Sequence, residues 1–309
     1  MDGKHVYDMI VVGGGPGGYT AALYAARSGL DTLVLEKLSA GGQMALTEAI
    51  DNYPGFEEGI DGFTLAEKMQ HQAERFGAKS EYAEVERVDL AASPKVLETS
   101  AGVFYGRTVA LATGAGPREL GLANEAALTG RGVAYCAACD GMRYRGRTVV
   151  VVGGGNSAAG DALALSRVAK KVILVHRRDS LRATKVYHEP LMRAENMEFR
   201  WNSAVTELLG GDRLTGVRLR DLRTGEETQL DCDGVFISVG RKPATELVQG
   251  QLELDRGGYI VADETTKTSL PGVYAVGDVR TKPLRQVVTA VADGAMAVHM
   301  AEEYLAGGE

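Results

Sequence analysis

Short apolar runs, glycine clusters and alanine-rich stretches follow one another along this chain, and their order repeats. The run Tyr7-Asp8-Met9-Ile10-Val11-Val12 predicts a strand and leads directly into Gly13-Gly14-Gly15-Pro16-Gly17-Gly18. An alanine-rich helix is predicted over 19–27, closed by Ser28-Gly29, with Gly29 placed where helices stop. A second strand, Thr32-Leu33-Val34-Leu35, ends at Glu36. The same succession returns downstream, with a strand over 148–152, the cluster Gly153-Gly154-Gly155-Asn156-Ser157-Ala158 and a helix through 169. It closes with a strand over 172–175 that ends at His176. Gly13 to Glu36 spans 23 positions, and so does Gly153 to His176.

Strand, glycine turn, helix and strand form the context that a dinucleotide fingerprint requires. In both copies backbone N–H groups at a helix N-terminus are offered to a pyrophosphate, and glycines permit its close approach. Gly13, Gly15, Pro16 and Gly18 carry this role in the first copy, and Gly153, Gly155, Asn156 and Ser157 in the second. The residues that end the second strand separate the two sites. Glu36 suits the 2′- and 3′-hydroxyls of an unphosphorylated adenosine ribose. At the matching place stand His176, Arg177 and Arg178, with Arg182 close behind. Guanidiniums there fork onto a 2′-phosphate, which an acid would repel; the alternative is a solvated basic helix start. The second site therefore reads as NADP-type and the first as FAD- or NAD-type.

Two features favour FAD in the first site. A strand over 271–276 ends in Gly277-Asp278, and an aspartate there suits the ribityl hydroxyls that NAD lacks. Arg285-Gln286-Val287 then opens an alanine-rich helix running to 305, whose positive end suits the pyrimidine edge of a reduced flavin.

Two strand ends mark domain crossings. Residues 109–112 run into Thr113-Gly114-Ala115-Gly116-Pro117, and 235–239 run into Gly240-Arg241-Lys242-Pro243. The expected fold class is α/β, with two Rossmann-like, three-layer nucleotide-binding domains, the second inserted in the first. The FAD-binding domain takes 1–116 and 245–309, and the NADPH-binding domain takes 117–244. Paired short linkers of this kind let one domain pivot on the other.

Bulk properties narrow the class. The 309 residues are 45% hydrophobic and 24% charged, ordinary for a globular chain long enough for two cores. A net charge of −7 speaks against a general nucleic-acid-binding surface. No apolar run approaches the ~20 residues that span a bilayer, and the N-terminus lacks the order of a signal peptide. A cytoplasmic protein is expected. Three cysteines in a reducing compartment make no structural disulfide framework. Cys232, beside Val235-Phe236-Ile237, reads as a small buried hydrophobe.

The other two cysteines form Cys136-Ala137-Ala138-Cys139, followed at once by Asp140, between the two fingerprints. Redox exchange and metal ligation both use this spacing. Zinc would need two more ligands, and no second C-x-x-C or paired histidine supplies them, so no metal is expected. A helix opening at Ala137 would favour a thiolate, and Asp140 either shuttles the exchange proton or is a carboxylate near a helix start.

With these motifs in this order, the chain resembles the low-molecular-weight bacterial thioredoxin reductases. The resemblance is carried by the first glycine cluster with Tyr19-Thr20-Ala21-Ala22, Gly41-Gly42-Gln43, Ala112-Thr113-Gly114 and Cys136-Ala137-Ala138-Cys139-Asp140-Gly141. It continues through the second glycine cluster, His176-Arg177-Arg178 with Arg182, and Ala275-Val276-Gly277-Asp278-Val279 with Arg285-Gln286, covering essentially the whole chain.

The resemblance implies a homodimeric flavoenzyme passing electrons from NADPH through FAD to the Cys136–Cys139 disulfide, and on to thioredoxin. It implies that Cys139 faces the flavin, that Cys136 attacks thioredoxin and that Asp140 is the acid. It also implies FAD contacts from Gly42, Gln43, Asn52, Thr113, Gly114 and Val287, and an NADPH contact from Gly240. The domains would have to rotate during turnover.

One departure falls in the second helix, where Ala159-Gly160-Asp161 replaces the family's adjacent glutamates. Asp161 stands in for one of them in positioning the nicotinamide, whereas Gly160 carries no carboxylate and costs about 1 kcal/mol of helix propensity relative to alanine. Rival readings are a reductase for another small dithiol protein and a non-catalytic FAD-binding redox sensor. Peroxide-linked relatives carry an extra N-terminal dithiol domain, and ferredoxin-reducing flavoproteins of this fold lack the cysteine pair, so both are disfavoured.

Overall fold

The uninterrupted apolar runs are strands buried on both faces, as a parallel sheet covered on each side requires. In the computed structural model, which describes residues 4–47 and 49–307, Met9 and Val11 point into one core while Ile10 and Val12 point into another. The second copy repeats this division. Val149 and Val151 enter one core, and Val150 and Val152 enter its neighbour.

The chain divides into two compact units, one of residues 1–116 with 242–309 and the other of 117–241. The sequence had placed the return at 245. The first unit begins with β1 (Val6–Val12), α1 (Pro16–Arg27), β2 (Thr32–Glu36), α2 (Gly62–Arg75) and β3 (Lys79–Tyr82). It continues with β4 (Val85–Asp89), β5 (Lys95–Thr99) and β6 (Gly102–Leu111), and leaves through β7 (Ala115–Pro117).

The second unit contains α3 (Glu125–Leu128), β8 (Val133–Ala134), α4 (Ala137–Asp140), β9 (Thr148–Val152), α5 (Asn156–Ser166) and β10 (Lys171–Val175). Next come α6 (His188–Arg193), β11 (Met197–Arg200), β12 (Ser203–Gly210), β13 (Leu214–Asp221), β14 (Glu227–Asp231) and β15 (Gly234–Ile237). The chain returns through β16 (Arg241–Pro243), which pairs with β7, to β17 (Val273–Ala275) and α7 (Val287–Leu305).

In the first sheet β3, β2, β1 and β6 run parallel in that order. The long β6 divides its far edge, with residues 102–106 pairing antiparallel to β5 and 109–111 pairing parallel to β17. The C-terminal segment thereby enters the same sheet as β1. In the second unit β11, β10, β9, β15 and β8 are all parallel. The antiparallel sheet β12-β13-β14 closes the core that holds Val150 and Val152.

Two helix boundaries differ from the sequence expectation. Helix α1 starts at Pro16, whose missing N–H costs nothing at the first helical position. Helix α5 stops at Ser166, not 169, because the Asn196 amide donates to the carbonyls of Ser166 and Ala169 at 3.0 and 2.9 Å. No helix among the described residues is long and apolar enough to cross a membrane.

Candidate active site

At the first glycine loop the main chain folds back on itself. The Gly13 N–H donates to the Leu35 carbonyl at 2.8 Å, and a Cβ on Gly18 would lie 1.9 Å from the Gly13 carbonyl oxygen. Only hydrogen fits there. Glu36 accepts from Gly14 N–H at 2.6 Å and from Leu38 N–H at 3.2 Å, so its carboxylate is held at the loop rim. Helix α1 begins at Gly15 with no side-chain cap, whereas α2 is capped by Asp61, which accepts from Thr64 N–H. A side chain at Gly15 would meet nothing within 4 Å, which leaves the helix start open to a ligand.

The other flavin candidates lie on neighbouring parts of the same unit. Thr113 donates to the Ala244 carbonyl at 2.7 Å, and the Gly114 carbonyl accepts from Ala244 N–H at 3.0 Å. Gly42 and Gln43 are exposed in a 3-10 turn. Asn52 donates to the Gln286 side-chain oxygen at 2.9 Å, bringing two candidates together. Arg285 donates to the carbonyls of Asp278 and Arg280 and stacks 4.0 Å over the Tyr259 ring. It therefore holds the turn that bears Asp278. The start of α7, next to Val287, is not open as expected, because Gln286 and Thr289 close a capping box there.

The second loop repeats the first in outline. Gly153 N–H donates to the Val175 carbonyl at 3.0 Å, Gly155 caps α5 without a side-chain hydrogen bond, and space beside Gly155 is open. Asn156 accepts from Thr184 N–H at 2.8 Å, and Asn156 and Ser157 are exposed. Arg177, Arg178 and Arg182 are exposed, and the Arg182 N–H binds the Gly154 carbonyl at 2.7 Å. His176 is set apart from them. Its ring is 4% exposed beneath Gly154, and Nε2 is buried without a partner. Burial first, and then Arg182, Arg177 and Arg178, hold its pKa below the ordinary histidine value. It is a neutral floor to the loop. Gly240, in the left-handed region at φ 117°, accepts from Arg118 N–H at 2.9 Å.

Cys136 and Cys139 form a disulfide with a Cα separation of 5.3 Å. The turn between them, α4, is four residues long, too few peptides for the dipole of a full helix, so the expected thiolate stabilisation from a helix start is weak. Asp140 pairs with Arg143 at 3.7 Å. Cys232 is buried, and burial pushes its thiol up to about 12, which leaves it inert. Among the described residues no cluster of His, Cys, Asp or Glu is arranged to hold a metal.

The family model described as pyridine nucleotide-disulphide oxidoreductase matches residues 7–294. The chain belongs to this oxidoreductase family. It is 47% identical over 304 residues to a thioredoxin reductase of Streptomyces clavuligerus, covering 97% of this chain and 94% of that one. It is 46% identical over 302 residues to a thioredoxin reductase of Mycolicibacterium smegmatis, covering 97% of each. The crystal structure of thioredoxin reductase from Streptococcus pyogenes aligns with a TM-score of 0.90 at 42% identity, covering 99% of this chain and 100% of that one.

Within this family member two supporting acids, Glu125 and Asp293, and the partner of Asp161 escaped the sequence reading. Glu125, 2% exposed, accepts from the N–H groups of Leu120, Gly121 and Leu122 and from the Tyr135 hydroxyl, next to Cys136. Asp161 accepts from the Ser238 hydroxyl at 2.5 Å. Asp293 binds Arg280, Lys282 and the Gly277 N–H in the interior, fixing the turn that carries Asp278. An acid set among the small apolar residues of the first half of α7 was the one available signal for Asp293.

Proposed function

We propose that this chain is an NADPH-dependent, FAD-containing reductase of the thioredoxin disulfide. The observation that carries the reading is the Cys136–Cys139 disulfide in a chain with two open, uncapped nucleotide loops. The residues present fit both cofactors. The first unit offers the N–H groups of α1 to the FAD pyrophosphate, with Glu36 for the ribose and the turn around Asp278 for the ribityl chain. The second unit offers the start of α5 to NADPH. Among the described residues no carboxylate pairs with Arg177, Arg178 or Arg182, leaving three guanidiniums for a 2′-phosphate.

FAD, when bound, supplies the two-electron chemistry that links a hydride donor to a disulfide acceptor. The protein's own part is thiol chemistry. Two electrons and two protons convert the Cys136–Cys139 disulfide to a dithiol. The Cys136 thiolate then attacks one thioredoxin sulfur, and the other sulfur leaves with the electron pair of the broken bond. The Cys139 thiolate attacks Cys136 in the mixed disulfide, which releases reduced thioredoxin and restores the intramolecular bond. Asp140 carries a proton between the cysteines and solvent. The balance is one NADPH and one proton consumed per thioredoxin disulfide reduced. Cys136 as attacking sulfur and Cys139 as the flavin-side sulfur rest on family resemblance, as do the homodimer and the cytoplasmic location.

Steady-state NADPH oxidation with oxidised thioredoxin tests the reading. Continuous consumption is expected with thioredoxin and only slow oxidase activity without it. A single reduction of flavin and disulfide with no sustained turnover would assign a redox sensor instead.

A further inference from the structure

The sequence reading attached Asp161 to nicotinamide positioning, and in the structure its carboxylate accepts from the Ser238 hydroxyl. Asp161 lies on α5, on the face that carries Ala158, Ala162 and Leu165. These three share a core with Ala137, the residue after Cys136, and Leu165 lies against Gly141 just beyond the turn. The dithiol turn therefore packs on the helix face that bears Asp161. On its other side the carboxylate accepts from the hydroxyl of Ser238, buried at the end of β15.

We propose that Asp161 is a positioning residue of the dithiol, tying the backbone of the Cys136 turn to the end of β15 and opposing thiolate formation with its partly buried carboxylate. This rests on the thioredoxin-reductase reading and deepens it by giving the dithiol its direction. A reductant needs a dithiol that gives up electrons readily, and a neighbouring anion raises the energy of the reduced, partly ionised pair. Burial raises the Asp161 pKa above the ordinary carboxylate value, and the Ser238 hydroxyl, the Ala137 N–H and the charge of Arg241 offset this only in part. The other ionisable groups around the turn are Asp140, Arg143 and Tyr144. Glu125 holds the opposite flank through Tyr135, so the residues on either side of Cys136 are each engaged by an acidic side chain.

The test equilibrates the holoprotein and its D161N, D161A and D161E variants in dithiothreitol redox buffers, reading dithiol against disulfide by alkylation and mass shift. In D161N the dithiol is expected to become about tenfold harder to oxidise, equivalent to about 30 mV for a two-electron couple. The pH profile of alkylation by iodoacetamide is expected to move down by about one unit. D161A should follow D161N, and D161E, which keeps the charge, should remain near the wild type. Any folded neutral variant supplies the reading. An unchanged midpoint and an unchanged alkylation profile in the neutral variants would overturn the assignment. Wild-type turnover with thioredoxin would still stand in that case, so the two proposals fail separately.

Discussion

The imidazole of His176 lies directly under Gly154, so close that a Cβ on Gly154 would sit 2.2 Å from the ring. Neither group can yield, because the ring is buried and the Gly154 carbonyl is bound by the N–H groups of Arg182 and Ala183 at 2.7 and 3.1 Å. The Gly154→Ala variant is expected to displace the loop, raise KM for NADPH by about tenfold or more, and leave FAD content unchanged. Cofactor absorbance and initial rates read the two effects separately.

The same ring predicts a pH dependence. Its native pKa lies below the ordinary value of 6.5, so the unfolded chain binds a proton at a higher pH than the native protein does. Stability from this group is present above about 6.5 and falls as pH drops toward the native value. The loss levels off below that value. Because Nε2 has no partner, His176→Phe should keep the fold at neutral pH and flatten this limb of the Tm–pH curve. An unchanged slope just below about pH 6.5 would show that other groups set it.

Arg177 and Arg178 are exposed beside the second loop, and the proposed function assigns them the one phosphate that distinguishes NADPH from NADH. Replacing both with alanine should raise KM for NADPH by about tenfold or more and leave KM for NADH nearly unchanged. Equal losses with both cofactors would remove these arginines from 2′-phosphate recognition.

Asp293 is the single carboxylate between two cations that are themselves buried, at 2.7 Å from both Arg280 and Lys282. Burial alone would raise its pKa, but the two cations outweigh burial and hold it below the ordinary value. Its contribution is thus present above about pH 3.8 and lost as pH falls through the lower native value. Asp293→Asn removes the hydrogen-bonded counter-charge of two interior cations and is expected to cost about 3–5 kcal/mol. Thermal unfolding should show a lower Tm, and the loosened turn at Asp278 should release FAD more readily.

The repeat was legible because each apolar run serves two cores at once, and burial on both faces leaves no polar position to interrupt it. The dithiol was legible because its spacing is local. What escaped reading depends on partners distant in sequence. The end of α5 is set by Asn196, the Gln286 side chain is engaged by Asn52, and the turn at Asp278 is held by Asp293. His176 sits where the nucleotide motif predicts a ligand, yet the same motif's glycine admits the ring beneath the loop instead of beside it. Periodicity carries no information on that choice. Asp161 was noticed as a departure from a pattern, but its partners, Ser238 and the backbone of Ala137, become visible only when β15 and α4 are brought against α5.

The most direct test of the central claim is steady-state NADPH oxidation by the Cys139→Ser variant with oxidised thioredoxin. The variant should retain FAD and accept electrons from NADPH, while thioredoxin-dependent turnover falls to background. Turnover equal to that of the wild type would contradict an electron path through Cys136 and Cys139.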